Sequence, residues 1–482
     1  MQLEEMKDKA FWGSLYRFGE RFLAQGMSLI VSFVLARLLL PDDYGSVAIV
    51  MIFINIANIF ATSGFGEALI QKRNVTDDDY TTMMWCSVSV SVVAYLVIWL
   101  LAPLIGRIYE DYSLIRVLRV LALSIPLGGY NTIQQAYVNK NMLFKNFFYA
   151  TLVGTFLSGC AGVFLAYKGA GVWALVAQSL INSVVDTLML SLMIKWKPKL
   201  YFSIEMAKEL IGFSWKITLA TMVSSAYDST RGAIVGYKYS SGDLAFYNKG
   251  EQIPKLVIQT VDSAITGVLF PVLGNCNQDK NIVKSMTKKA LRMTSFVVMP
   301  MMVGLFVLAE KLILLVLTEK WLPCVFFFQC TCVSLMFQPG QTANWQVLKA
   351  MGRSDLCLKY EIVKKGIGII SILVAFSFGV EWIAISGVIM SCVMMLINIY
   401  PNCKMISYGY KEQFFDMVPF IICSVMMGIL VACVGNSIDN DIISIALKVI
   451  VGIVTYVLIC KIGKIRELDI VLNRLFSFLN RK

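Results

Sequence analysis

The sequence predicts an all-α polytopic membrane protein with about 14 transmembrane helices, and three observations support this prediction. Of the 482 residues, 57% are apolar or aromatic and only 15% are charged. That amount of apolar surface exceeds what a single soluble core could bury. The chain also repeats apolar stretches of about 20 residues, which is the length at which a helix crosses the hydrocarbon core of a bilayer.

The apolar stretches follow one another with short connections along the whole chain. The fourth is the weakest, because its second half, GGYNTIQQAYVNKN, is polar. After the last stretch, Leu468, Val471, Leu472, Leu475 and Leu479 recur at helical spacing among arginines, which predicts an amphipathic helix on the cytoplasmic membrane surface. We place the segments near 15–38, 44–67, 81–104, 117–138, 147–167, 171–194, 212–237, 245–273, 290–309, 323–348, 360–378, 381–401, 414–435 and 441–461.

The charges predict the topology. The chain carries 43 Lys and Arg against 31 Asp and Glu, a formal charge of +12. Most of the cations fall in one alternate set of connections, such as 280–292, whereas the other set is short and often acidic, as in PDDYG and GNSIDND. The positive-inside rule therefore places both termini in the cytoplasm, which agrees with an even number of spans. Because topology explains most of the charge, we expect no nucleic-acid partner.

Several classes of chemistry are disfavoured by composition. The chain has no histidine, which removes histidine-based catalysis and histidine-ligated metals. Its 12 cysteines are scattered without a C-x-x-C pair. No long loop could form a catalytic domain, and the charged N-terminus lacks the features of a cleaved signal peptide. We therefore expect a transporter rather than an enzyme, with no metal and no cofactor.

The chain contains an internal repeat. Asp43 and Asp243 occupy matching places, and at slightly larger offsets Gly129 matches Gly340. Each match falls at the same place in a six-helix unit, which predicts two parallel bundles related by a pseudo-two-fold axis along the membrane normal, plus two extra helices. The predicted domains are an N-terminal bundle at 1–198, a C-terminal bundle at 199–406, a peripheral helix pair at 407–463 and the amphipathic tail at 464–482.

Polar side chains recur at i, i+3, i+4 and i+7 in corresponding segments of the two halves, so that each of these helices has one polar, hydrated face. We expect these faces to line a cavity between the bundles. The candidate anion-binding residues are Arg17, Arg21, Lys216, Arg231 and Lys255. The candidate polar lining residues are Gln25, Asn55, Asn58, Gln134, Gln259, Gln341 and Asn344.

Buried amides and ion pairs often only join helices, and that alternative stays open for each single residue. That alternative does not explain why several helices carry polar faces at the same time, or why cations outnumber carboxylates on those faces. A basic cavity suits an anionic passenger, because Arg makes bidentate phosphate contacts and Lys supplies a mobile positive charge. The intramembrane carboxylates Asp228, Asp262 and Asp186 are candidates for coupling to protons or sodium ions.

Residues 12–72 carry a family resemblance in the motifs GSLYRFGERF, VLARLLLPDDYG and GFGEALIQK, and VNKNMLFKNFF extends it beyond the fourth segment. These stretches resemble the Wzx-type polysaccharide flippases, in the polysaccharide transporter branch of the multidrug/oligosaccharidyl-lipid/polysaccharide superfamily. The chain is most similar to the group that exports colanic and teichuronic acid.

The resemblance implies a multi-pass protein of the bacterial inner membrane that moves undecaprenyl-diphosphate-linked oligosaccharides to the outer leaflet for surface polysaccharide synthesis. It also implies ion coupling and contacts with membrane lipids, with a polysaccharide polymerase and with glycosyltransferases. Two alternatives remain: a drug or cation antiporter of the same superfamily, and a membrane-embedded polysaccharide polymerase or ligase. An antiporter would have fewer spans and an acidic cavity. A polymerase or ligase would have long outer loops.

Overall fold

The computed structural model describes residues 23–62, 64–72, 75–208, 229–275, 279–434 and 441–479. Throughout these ranges the regular structure is helical, and no strand occurs in them. The chain forms two compact units, residues 1–245 and 246–482. The predicted all-α fold class is confirmed.

The first unit contains nine labelled helices and the first turn of a tenth. A short helical stretch at 204–208 precedes residues 209–228, which lie outside the described ranges. The helices are α1 (Leu23–Leu38), α2 (Pro41–Thr62), α3 (Phe65–Gln71), α4 (Asp77–Ile108), α5 (Ser113–Leu121), α6 (Ser124–Lys140), α7 (Phe144–Tyr167), α8 (Val172–Met193) and α9 (229–238).

The second unit begins inside α10 and ends with the tail helix. A single 3₁₀ turn, Glu319–Trp321, separates its second and third helices. The helices are α10 (Ser241–Asn275), α11 (Lys280–Val316), α12 (Cys324–Leu335), α13 (Gln338–Ala350), α14 (Ser354–Ala375), α15 (Val380–Met405), α16 (Tyr410–Cys433), α17 (Asp441–Ile462) and α18 (Arg466–Leu479).

The predicted spans coincide with these helices wherever the chain is described. Nine helical stretches in the described ranges are long and apolar enough to cross a membrane, and one of them runs through both α5 and α6; α1 and α12 are shorter apolar helices. The fourth and tenth predicted segments each consist of two helices, because the helix is interrupted between α5 and α6 and again between α12 and α13. The chain is thus a multi-pass membrane protein whose halves share one order of elements.

The repeat extends to the way the helices begin. The Asp43 carboxylate accepts a hydrogen bond of 3.1 Å from the backbone N–H of Leu40 at the start of α2. The Asp243 carboxylate accepts one of 3.1 Å from the backbone N–H of Ser240 at the start of α10. Both carboxylates lie in a first helical turn, where negative charge is favourable. The two aspartates that match in sequence therefore perform the same local task.

The matched glycines lie at close contacts between helices. The Ser87 hydroxyl of α4 donates to the Gly129 carbonyl of α6 at 2.9 Å, and a Cβ atom on Gly129 would overlap the Ser91 hydroxyl. A Cβ atom on Gly340 of α13 would lie 2.7 Å from the Met395 sulfur of α15. Small residues allow this close approach of helices in membranes.

Buried amides join the helices of each unit. Gln134 of α6 is fully buried, and its Nε2 atom donates to the Thr187 carbonyl at 3.2 Å and to the Ser191 hydroxyl at 2.6 Å, both on α8. Asn344 of α13 is also fully buried. It exchanges two hydrogen bonds with Gln413 of α16, at 2.7 and 2.9 Å, and its Oδ1 atom accepts from Asn402 of α15 at 2.7 Å. These two residues act as joints between helices.

An ion-pair hub ties α16 and α18 to α11. Arg292 of α11 donates to Asp416 of α16 at 3.1 Å and to both carboxylate oxygens of Glu467 of α18, at 2.5 and 3.0 Å. Burial raises the pKa of Glu467, but the hydrogen bonds from Arg292 bring that pKa below its usual value. Burial and a hydrogen bond to Asp416 raise the pKa of Tyr408. Helix α16 is thus integral to the second unit.

The tail helix packs against protein. Leu468 is buried in the apolar core of the second unit, and Val471 and Leu472 pack against the same core. Helix α18 contacts α11 and α17. The described part of the apolar face predicted for a membrane surface therefore covers neighbouring helices.

We predict that Asn344→Leu lowers the free energy of unfolding by about 1–3 kcal/mol, because it removes the hydrogen bonds of the Asn344 side chain to Gln413 and Asn402 and takes the donor from the buried Gln413 Oε1 atom. Gln259→Leu likewise replaces an amide side chain by leucine, at an exposed position of α10, and should have little effect. Thermal unfolding of the detergent-solubilised protein measures both. Equal midpoints for the two variants would contradict the role of Asn344 as a joint.

Candidate functional site: polar faces of the transmembrane helices

A polar seam runs between α10 and α13 in the second unit. The Asp262 carboxylate accepts hydrogen bonds from Gln338 Nε2 at 2.8 Å and from the Thr342 hydroxyl at 3.2 Å. One turn further along α10, the Thr266 hydroxyl accepts from Gln346 Nε2 at 3.5 Å. Each helix contributes residues four apart, so these side chains share one face of their helix. We call these five residues the α10–α13 seam.

Lys255 and Gln259 precede the seam on α10. Lys255 forms an ion pair with Glu251, one turn earlier on its own helix, and 48% of the lysine side chain remains exposed. Gln259 is exposed. The half-exposed ammonium group of Lys255 lies two helical turns before the half-buried carboxylate of Asp262. Helix α10 therefore carries both a positive and a negative group along its length. The sequence analysis identified Lys255, Gln259 and Asp262, but it missed Glu251 and Gln338.

The first unit has polar groups on α2 and α6. Asn55 is exposed, whereas Asn58 is half-buried and its Oδ1 atom is buried without a hydrogen-bond donor among the described residues. A Cβ atom on Gly128 of α6 would lie 3.4 Å from that oxygen. On α6, Asn131 donates to the Thr187 hydroxyl at 3.3 Å. A buried acceptor without a donor indicates a place that water or a ligand group can satisfy.

Asp186 lies in a separate contact, between α7 and α8. Its Oδ1 atom is buried, and a Cβ atom on Gly154 of α7 would overlap that oxygen. The Asn182 amide oxygen lies one turn earlier and accepts from the Ser158 hydroxyl at 3.4 Å. The next residue, Thr187, faces α6 instead. The structure therefore does not bring Asp186 together with Gln134.

The remaining candidates are distributed as follows. Gln25 of α1 is exposed and Arg231 of α9 is half-buried. Gln341 donates to the Ser391 carbonyl of α15 at 3.1 Å. Gln134 and Asn344 are the buried joints already described. Four predicted residues lie outside the described part of the chain, namely Arg17, Arg21, Lys216 and Asp228.

The chemical groups on the polar helix faces determine which ligands these faces can bind. The seam offers a carboxylate, amides and hydroxyls within transmembrane helices, where such groups are costly unless they are paired or hydrated. Exposed amides and cations can bind hydroxyl-rich or anionic ligands by hydrogen bonds and charge.

Comparisons with known proteins agree with this architecture. Residues 34–326 match the family model described as "Polysaccharide biosynthesis protein". The succinoglycan biosynthesis transport protein ExoT of Rhizobium meliloti is 22% identical over 61% of this chain and 60% of its own length. The lipopolysaccharide biosynthesis protein WzxC of Escherichia coli is 20% identical over 88% of each chain.

Among solved structures, the lipid II flippase MurJ in an inward closed conformation superimposes with a TM-score of 0.75. The alignment covers 94% of this chain and 98% of MurJ at 16% sequence identity, so it establishes the shared fold. The family model spans more than half of the sequence and includes α2, α6, α8 and the two seam residues on α10, whereas the three seam residues on α13 lie beyond it. The chain therefore belongs to the polysaccharide biosynthesis protein family.

Proposed function

We propose that this protein is a flippase for lipid-linked oligosaccharides. It moves undecaprenyl-diphosphate-linked repeat units from the cytoplasmic to the outer leaflet of a bacterial inner membrane, with both termini in the cytoplasm. The observation that carries the proposal is the occurrence of polar faces inside the membrane helices of a chain whose relatives serve polysaccharide biosynthesis. The transported units feed synthesis of a surface polysaccharide.

The physical problem is the cost of moving a charged sugar diphosphate through hydrocarbon. Desolvation of an unpaired ion in an apolar medium costs tens of kcal/mol in the limiting case. Polar helix faces replace water around the head group, while the lipid tail stays in the bilayer. Alternating access between an inward and an outward state then moves the head group across the membrane without exposing it to lipid.

The proposal assigns different tasks to different polar residues. Arg231 and Lys255 bind the diphosphate, together with Arg17, Arg21 and Lys216. Exposed amides such as Asn55 and Gln259 bind sugar hydroxyls. The buried joints Gln134 and Asn344 position the helices that carry them.

Ion coupling is assigned to intramembrane carboxylates. Asp262 is the best placed, because Gln338 and Thr342 hold its carboxylate within the α10–α13 seam; Asp228 and Asp186 are further candidates. Binding of a proton or a sodium ion would neutralise the carboxylate and so favour one of the two states. A glycosyltransferase supplies the substrate and a polymerase consumes it, so both are expected partners, and the flippase itself breaks no bond.

We expect Arg231→Ala and Lys255→Ala each to abolish surface polysaccharide while leaving the amount of membrane-inserted protein unchanged. Each variant removes a cation that the proposal assigns to the diphosphate. Lys238→Ala, at an exposed position of α9, is the matched control and should keep normal glycan. Immunoblotting of surface glycan and of membrane fractions measures both quantities. Normal glycan in both test variants would refute the basic-cavity mechanism.

Asp262→Asn should remove the dependence of transport on the ion gradient, because asparagine keeps the size of the side chain and one acceptor oxygen but cannot bind a proton. The measurement is transport into membrane vesicles with and without a collapsed gradient. Asp355→Asn alters an exposed carboxylate paired with Arg353 and should leave gradient dependence intact. If Asp262→Asn responds to the gradient as the wild type does, Asp262 is not the coupling site.

A further inference from the structure

Helix α17 carries a lysine on the face that packs against protein. The other faces of α17 are apolar, and Ile443, Ile450 and Ile453 are exposed there. The packed face has residues four apart, and it includes Lys448, which is only 6% exposed. The members of this face are Ser444, Lys448, Gly452, Tyr456 and Cys460. A charged group within a transmembrane helix is costly, so Lys448 is a candidate for a functional role.

The packed face of α17 lies against α11 and α16. The Tyr456 hydroxyl donates to the Phe296 carbonyl of α11 at 2.8 Å. A Cβ atom on Gly452 would lie 3.4 Å from the Val431 side chain of α16. Lys448 therefore points towards the junction of three helices rather than towards the hydrocarbon of the bilayer.

A second lysine reaches the same junction from α11. The Lys311 ammonium group donates to the Ser444 hydroxyl at 2.8 Å. Ser444 is 1% exposed and lies one helical turn before Lys448, on the same face of α17. The two lysines are close enough for their positive charges to repel each other. The junction thus gathers two cations and one hydroxyl.

This cluster lies near one end of the membrane span. Helix α11 ends at Val316, a few residues after Lys311, and α17 begins at Asp441, two turns before Lys448. At about 1.5 Å per residue, the lysines lie about 8 and about 10 Å from those helix ends. Flexible lysine side chains let ammonium groups reach towards lipid head groups from such a depth.

The junction is suited to an anion. Glu310 and Asp441 lie at the same end of the two helices, but both are exposed, whereas Ser444 and Lys448 are buried. The hydroxyl that accepts the hydrogen bond from Lys311 is uncharged. An anion at the junction would accept hydrogen bonds from both lysines and reduce their repulsion. A phosphate group has several charged acceptor oxygens, which two lysines can share.

We propose that Lys311, Ser444 and Lys448 form a binding site for the phosphate group of an anionic phospholipid. The lysines donate to the phosphate oxygens, and the acyl chains lie along the exposed apolar side of α17. The bound phosphate joins α17 to α11. This lipid is not the transported substrate, so the site does not depend on the flippase activity proposed above.

Native mass spectrometry of the detergent-solubilised full chain, titrated with phosphatidylglycerol, tests the site. Lys448→Met removes the charge but keeps a long, unbranched side chain, so the variant should fold. We expect the tightest lipid to bind about tenfold more weakly, because charge-assisted hydrogen bonds are lost. Lys311→Met removes the other cation and should have the same effect. Lys448→Arg keeps the charge and should retain most of the affinity.

Two competitors distinguish the source of the phosphate. Inorganic phosphate supplies the anion without a lipid, and diacylglycerol supplies the lipid without a phosphate. At equal concentration, neither should displace phosphatidylglycerol from the wild-type protein. Displacement by inorganic phosphate would overturn the assignment to a lipid, and displacement by diacylglycerol would overturn the role of the phosphate group.

A matched control separates the site from an effect of net charge. Lys238→Met removes one cation at an exposed position of α9 and should leave the affinity for phosphatidylglycerol unchanged. Equal affinity in the wild type, Lys311→Met and Lys448→Met would overturn the site, and so would an equal loss in Lys238→Met. Weaker binding by Lys311→Met and Lys448→Met, in a protein that moves no lipid-linked oligosaccharide, would support the site and refute the proposed function.

Discussion

Hydrocarbon offers neither donors nor acceptors, so every polar side chain inside the bilayer must be satisfied by another protein group or by water and ligand. This constraint sorts the intramembrane polar residues of this protein into two kinds. Gln134 and Asn344 are fully buried and bonded to neighbouring helices. Asn58, Lys255 and Gln259 keep polar atoms available. The first kind holds helices together, and the second kind forms the faces assigned to transport.

The contacts between helices also differ in strength. Within the second unit, Arg292 joins α11, α16 and α18 through two buried carboxylates, and breaking a buried pair of this kind is costly. The contact between the Ser241 hydroxyl at the start of α10 and the Asp42 carboxylate at the start of α2, in contrast, is a single hydrogen bond of 3.2 Å.

Hydropathy and spacing were sufficient to predict the spans, and the match of Asp43 with Asp243 identified a capping interaction that both halves form. Such features depend on residues close together in the chain. The hub could not be predicted, because Arg292 and Glu467 are 175 residues apart. Helical periodicity also did not reveal that Thr342 faces α10 while Asn344, two residues later, faces α15 and α16. An apolar stripe cannot distinguish a membrane surface from a protein surface, which is why the packing of α18 on its neighbours was not foreseen.

We propose that polar helix faces of this one chain carry a lipid-linked oligosaccharide across a bilayer. The most direct measurement of this transport uses the purified protein in liposomes that contain a polyprenyl-diphosphate oligosaccharide, with a lectin added outside to detect glycan that reaches the outer leaflet. We predict that glycan initially confined to the inner leaflet becomes accessible much faster than in protein-free liposomes, and that Lys255→Ala removes the acceleration. Equal rates with and without the wild-type protein would contradict it.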